Sequence, residues 1–250
     1  GAGHPLLGDD TQRGLHEQGT ALVGGDAVHG ALLLVRDFGG AADSGSTVPD
    51  ERPDCKSVVT VVVSSVCGME LVLIPGFWLD GDSWGPVTAD LRAAGHTVHP
   101  LTLPGMSVDA DRSAVTLRDQ VDAVIAVVDS LAEPVVLVGH SGGGAIAWAV
   151  ADARPNSIAR VVFVDSGPLG DGTVINDELP VVDGEVPLPE WDVFEPEDLV
   201  DMDDAIRAHF RAIAIPEPVH VTSDEQVLSD PRRYEVPATV ICCEMPSELM

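Results

Sequence analysis

Gly139-His140-Ser141-Gly142-Gly143 sets a serine between glycines at the spacing Gly-x-Ser-x-Gly. The apolar run Val135-Val-Leu-Val precedes it and the Ala-rich stretch Ala145-Ile-Ala-Trp-Ala-Val-Ala-Asp-Ala153 follows. A strand that turns directly into a helix strains the residue at its apex and lifts that side chain out of the fold, and glycines on either side let the backbone pass close. The chemistry implied is attack by the Ser141 hydroxyl on an acyl carbon. The strand and helix around it separate this pattern from a chance pentapeptide. Such a nucleophile needs N–H donors aimed at the oxyanion that develops on the attacked carbonyl. The Gly142 amide is one. The other is expected from the loop after an earlier buried strand, Glu70-Leu-Val-Leu-Ile-Pro-Gly-Phe-Trp, most simply as the Phe77 amide.

The elements that must hold these groups alternate strand and helix from residue 69 onward, the pattern of an α/β fold with a parallel sheet. The periodicity predicts strands at 70–75, 97–101, 135–139 and 160–164 and helices at 84–95, 116–132 and 142–153. Leu117, Val121, Val124, Val127, Val128 and Leu131 form one stripe of the second helix, and Gly95 is placed to stop the first. Residues 166–231 read as a lid inserted between core strands, rich in Pro, Asp and Glu, with Trp191 and Phe194 as isolated anchors and a helix expected at 197–214. The core resumes at 236–243.

Together, Met69-Glu-Leu-Val-Leu-Ile-Pro-Gly-Phe-Trp, Leu91-Arg-Ala-Ala-Gly-His-Thr-Val, Pro104-Gly and Val138-Gly-His-Ser-Gly-Gly resemble the α/β-hydrolase superfamily. The likeness runs over 69–250 and is greatest to the compact branch of plant methylesterases, hydroxynitrile lyases and small bacterial esterases. It implies a mostly parallel sheet flanked by helices, with a lid insertion. Pro75 departs from the pattern, where much of the family has a His before the Gly. The resemblance also implies a triad in the order Ser, acid, His. Glu244 or, less well, Glu248 follows the strand at 236–243, and Asp165 ends the preceding one. No histidine follows Glu244. His4, His16, His29, His96, His99, His140, His209 and His220 all lie elsewhere; His140 sits inside the turn, and His209 and His220 in the lid. Without a base the serine hydroxyl is a weak nucleophile. The expectation is therefore a chain whose last strand and His loop are missing by truncation. Residues 1–68 stay unassigned, either upstream sequence read in frame or a poorly ordered extension. Their apolar runs Ala31-Leu-Leu-Leu-Val and Val58-Val-Thr-Val-Val-Val leave a rival reading as extra leading strands.

The 250 residues, 45% hydrophobic, suffice for one domain and a lid. Thirteen basic residues against 41 acidic ones give a net charge of −28, which argues against nucleic acid and anionic membranes as partners. An acidic lid favours neutral or cationic esters or amides as small-molecule substrates. Cys55, Cys67, Cys242 and Cys243 build no disulfide framework, and Cys242 and Cys243 are expected to pack as small hydrophobes on a buried strand. No spacing marks a metal site and no cofactor is expected. The run 58–66 is too short to span a bilayer, and a cytoplasmic location is the default expectation. Oligomeric state is not legible. The leading function is ester hydrolysis through a Ser141 acyl-enzyme. The alternatives are an inactive hydrolase-like binding protein or fragment, and a hydroxynitrile-lyase type of lyase, disfavoured because relatives of that type often add a Lys and none occurs in 69–250.

Overall fold

In the computed structural model the described residues are 17–21, 34–38, 68–194, 196–200 and 202–242. Their centre is a sheet whose strands lie in the order β1-β2-β9-β6-β5-β3-β4. Five of them are parallel: β3 (Glu70–Ile74), β4 (Thr97–Pro100), β5 (Val135–His140), β6 (Ile158–Val164) and β9 (Ala238–Cys242). β1 (Glu17–Ala21) and β2 (Leu34–Phe38) extend the sheet antiparallel beyond β9, with Leu34 opposite Cys242. The sequence leaves that edge of β9 without its expected last strand; the structure sets β2 there. The 58–66 run lies outside the described residues.

Why the parallel strands read as unbroken apolar runs is plain from their burial on both faces. Along β3, Val72 and Ile74 join the larger core with residues of α2 and α3, whereas Leu71 and Leu73 pack on the opposite face with Val98 and Val136. α1 (Gly85–Ala93) covers the second face through Leu91, and α2 (Leu117–Ser130) and α3 (Gly142–Ala153) cover the first.

The caps explain where the helices stop and start. A short 3-10 turn at Gly81–Trp84 replaces the first residue of the expected first helix. Gly95, at φ +93°, donates to Arg92 O while His96 donates to Leu91 O, the bonding of a Schellman motif. Thr116 and Asp119 make a reciprocal capping box at the start of α2, and Gln120, buried on its inner face, donates to Pro104 O at 3.0 Å.

The insertion holds a two-stranded ribbon of β7 (Glu185–Val186) and β8 (Glu217–Pro218), with α4 (Asp204–Ile213) between them and α5 (Val219–Ser223) after. The helix expected over 197–214 is shorter, because Asp203 accepts from the Ile206 amide and fixes the start of α4, while Pro196–Leu199 tightens into a 3-10 turn. Trp191 and Phe194 are not isolated: they lie with Phe210 around Trp78. The insertion's return to the core is tied at α3. Buried Asp152 accepts from the Ser229 and Asp230 amides at 3.0 and 2.8 Å and from Arg233 Nη1 at 2.9 Å. The nine arginines from Arg92 to Arg233 are all hydrogen-bonded, to carboxylates, carbonyls or a hydroxyl. Cys242 is half-buried rather than fully enclosed, because it closes the exposed end of β9, and Cys243 lies outside the described residues.

Candidate active site

β5 ends at His140 and α3 begins at Gly142, so Ser141 makes the whole turn alone. Its backbone sits at φ 48°, ψ −123°, a conformation that L-residues rarely hold and that the surroundings must enforce. The enforcement is visible. The Ser141 amide donates to Val164 O at 3.0 Å, its carbonyl accepts from Gly144 N at 2.9 Å, and Ser166 Oγ donates to that carbonyl at 2.7 Å. The side chain is exposed at the N-terminus of α3, where helix amides lack intrahelical acceptors.

Close approach explains the glycines. A Cβ on Gly139 would stand 2.5 Å from Gly143 O, and one on Gly143 would strike the backbone of Ile74 and Pro75. The turn is thus pressed onto the end of β3, which brings the 75–79 loop to the elbow. A Cβ on Gly142 would fall 2.6 Å from Phe77 Cε1, so the two residues expected to supply oxyanion donors are packed together. Gly76 lies against both His140, whose Nδ1 would be 2.7 Å from an added Cβ, and Ser141 Cβ at 3.1 Å.

The His140 ring is turned toward Gly76 and the edge of Trp84, with ring centroids 6.4 Å apart. Burial pushes its pKa below the ordinary imidazole value, and the Asp165 carboxylate opposes that shift. Asp165 follows β6 directly, at φ 46°, and its amide donates to Ile241 O at 2.8 Å. Of the acid candidates, Asp165 therefore stands at the sheet end that carries the elbow, while Glu244 and Glu248 lie outside the described residues.

The other described histidines have different surroundings. His96 is buried beside β4; His99 pairs with Glu70 at 2.6 Å; His209 lies on α4; His220 on α5 meets Asp224 at 3.2 Å. His4, His16 and His29 lie outside the described residues. No hydrogen bond among the described residues reaches Ser141 Oγ.

Three groups that hold the elbow, the insertion and the 75–79 loop had no distinct mark in the sequence. Ser166 closes the elbow from β6, and only its place just after that strand could have pointed to it. Asp152 anchors the end of the insertion. Glu217, one acid among 41, is buried on β8 and accepts from the Trp78 amide at 3.2 Å. No group of three or more His, Cys, Asp or Glu among the described residues is arranged to hold a metal ion. Among them, too, no helix is long and apolar enough to cross a membrane.

Comparison with known proteins agrees with this geometry. Residues 71–247 match the model of the alpha/beta hydrolase family. Methylesterase 7 of Arabidopsis thaliana is 34% identical over 100 residues, 38% of this chain and 38% of that protein. A carbendazim hydrolyzing esterase of a Nocardioides species is 35% identical over 98 residues, 38% of this chain and 40% of the esterase. The chain thus spans well under half the length of these curated relatives. Among solved structures, an extracellular alpha/beta-hydrolase from a Paenibacillus species superposes with a TM-score of 0.60 at 24% identity, over 69% of this chain and 76% of that one, a likeness of fold. With most of its length matched and its sheet order and elbow built as described, the chain belongs to the alpha/beta hydrolase family.

Proposed function

We propose that the protein is an esterase that cleaves a small neutral or cationic ester through a covalent acyl-enzyme on Ser141. Ser141 Oγ attacks the ester carbonyl. The oxygen that becomes an alkoxide is held by the Phe77 and Gly142 amides, the alcohol leaves, and water releases the acid. The carrying observation is the strained, exposed Ser141 at the head of α3 with Phe77 packed on Gly142. Similarity to esterases over the same segment supports the substrate class. Asp165 is the favoured acid, supported by its electrostatic pull on His140 at the elbow; Glu244 is the alternative. The reading assigns no described histidine as the base that takes the serine proton.

That last point favours a second reading, a hydrolase-like binding protein without an activated serine. An organophosphonate probe with a fluorescent tag separates the two. Labelling of the folded chain that disappears in Ser141→Ala supports the esterase. A folded chain that stays unlabelled, yet binds a non-cleavable ester analogue, supports the binding protein.

A further inference from the structure

Trp78 joins the oxyanion loop to the insertion through every polar group it has. Its amide donates to Glu217 Oε1 at 3.2 Å, its indole N–H donates to Val186 O at 3.0 Å, and its carbonyl accepts from Ile215 N at 2.9 Å. All three partners belong to the insertion, on or beside the β7–β8 ribbon, in which Val186 stands opposite Glu217. Trp78 is itself at φ 65°, a left-handed conformation that a bulky side chain holds only when its surroundings compel it. Phe77 is the preceding residue, so the peptide that carries the Trp78 amide also fixes where Phe77 stands.

We propose that Glu217 is a positioning residue for the oxyanion loop, a lid carboxyl that grips the Trp78 amide and thereby aims the Phe77 N–H at the reacting carbonyl. The proposal rests on the reading of Ser141 and Phe77 given above.

Three observations carry it. Glu217 is 3% exposed, so its bond to Trp78 is shielded from competing water. The adjoining Pro218 packs on Gly105, which anchors β8 to the loop after β4 as well. Glu217 Oε2 has no hydrogen-bond partner among the described residues, which suits a neutral carboxyl better than a carboxylate. Burial pushes its pKa up to about 8, with the Trp78 amide and the Arg112 guanidinium opposing the shift. The charged groups around it are Arg112, from the loop before α2, and Glu185 on β7, whose carboxylate lies 3.5 Å from Arg112. A neutral acid accepts the Trp78 N–H without needing a counter-charge, and an ionised one would accept it more strongly still, so the tie holds in either state.

The test uses the full chain and the rate of labelling by the organophosphonate probe at pH 7. Parent, Glu217→Gln, Glu217→Leu and Ser141→Ala are compared. Glutamine keeps the accepting oxygen, so Glu217→Gln labels at the parent rate at pH 7. Glu217→Leu labels roughly tenfold or more slowly, part of the loss seen when an oxyanion donor is removed outright. Parent-rate labelling of Glu217→Leu overturns the proposal. Should Glu217→Leu fail to fold, the smaller Glu217→Ala takes its place, and parent-rate labelling of a folded Glu217→Ala overturns the proposal. A parent that never labels, or a Ser141→Ala that labels equally, refutes the serine reading rather than the tie. Amide hydrogen exchange over 75–80 then decides: faster exchange in Glu217→Leu but not in Glu217→Gln upholds the tie, and unchanged exchange overturns it.

Discussion

Replacing Asp152 with alanine tests how the insertion is fastened to the core. The carboxylate accepts three hydrogen bonds, from the Ser229 and Asp230 amides and from Arg233 Nη1, and the two charged residues are only 6% and 8% exposed. Alanine removes the carboxylate and leaves the guanidinium enclosed without its counter-charge. Breaking a buried pair from one side costs about 3–5 kcal/mol, far more than an exposed pair is worth. At this chain length each kcal/mol lowers the melting temperature by about 2–4 °C, so a drop of roughly 6–20 °C is expected. Urea unfolding followed by tryptophan fluorescence measures the free energy, and a thermal scan by far-ultraviolet circular dichroism measures the temperature shift. Removing both charges with Asp152→Leu and Arg233→Met together restores only the share due to the unpaired ion, because the Ser229 and Asp230 amides still lose their acceptor. A single mutant that loses under about 1 kcal/mol, or a double mutant as damaged as the single, refutes the reasoning.

Other consequences follow from single residues. Gly143→Ala forces a methyl against the carbonyls of Ile74 and Pro75, backbone that cannot yield, and is expected to cost about 3 kcal/mol or more in urea unfolding and to abolish probe labelling. Glu217 keeps its proton in the folded state up to a pH of about 8 but releases it near 4.5 when unfolded. Between those values the folded state binds more protons, so stability falls as pH rises, by up to roughly 5 kcal/mol. Glu217→Gln flattens that slope in urea midpoints taken at pH 5, 6.5 and 8; equal slopes count against the buried neutral acid. Thr116→Ala opens the capping box of α2 and should cost about 1 kcal/mol in the same assay, with labelling unchanged.

The sheet was legible because its strands are enclosed on both faces and therefore show as short apolar runs: 71–74, 135–138 and 161–164 need no tertiary information. The elbow was legible for the same kind of reason, since its glycines answer to backbone contacts that no side chain survives. The insertion was not. Its helix starts where the Asp203 side chain takes the Ile206 amide, a choice made among many acids of equal propensity. Trp191 and Phe194 looked isolated because the ring they surround, Trp78, comes from a loop on the other side of the elbow in sequence. Glu217 was hidden by chemistry as well as distance, because only burial separates it from the rest of an acidic surface. The strand that flanks β9 pairs antiparallel from far upstream, a contact that local periodicity cannot announce.

That the nine arginines from Arg92 onward are already hydrogen-bonded determines how this protein meets its ions. From residue 69 onward nine basic residues stand against 32 acidic ones, so the cations are spent in local pairs and carbonyl contacts while a large excess of negative charge stays unbalanced. At an ionic strength of about 0.01 M their mutual repulsion reaches some 30 Å, the width of a small domain; near 1 M it fades within about 3 Å. Added salt removes that repulsion over long range but leaves close arginine pairs such as Arg154–Asp129, at 2.8 Å, in contact. Stability should therefore climb with monovalent salt, and the folded chain should carry a loosely held cloud of counter-cations.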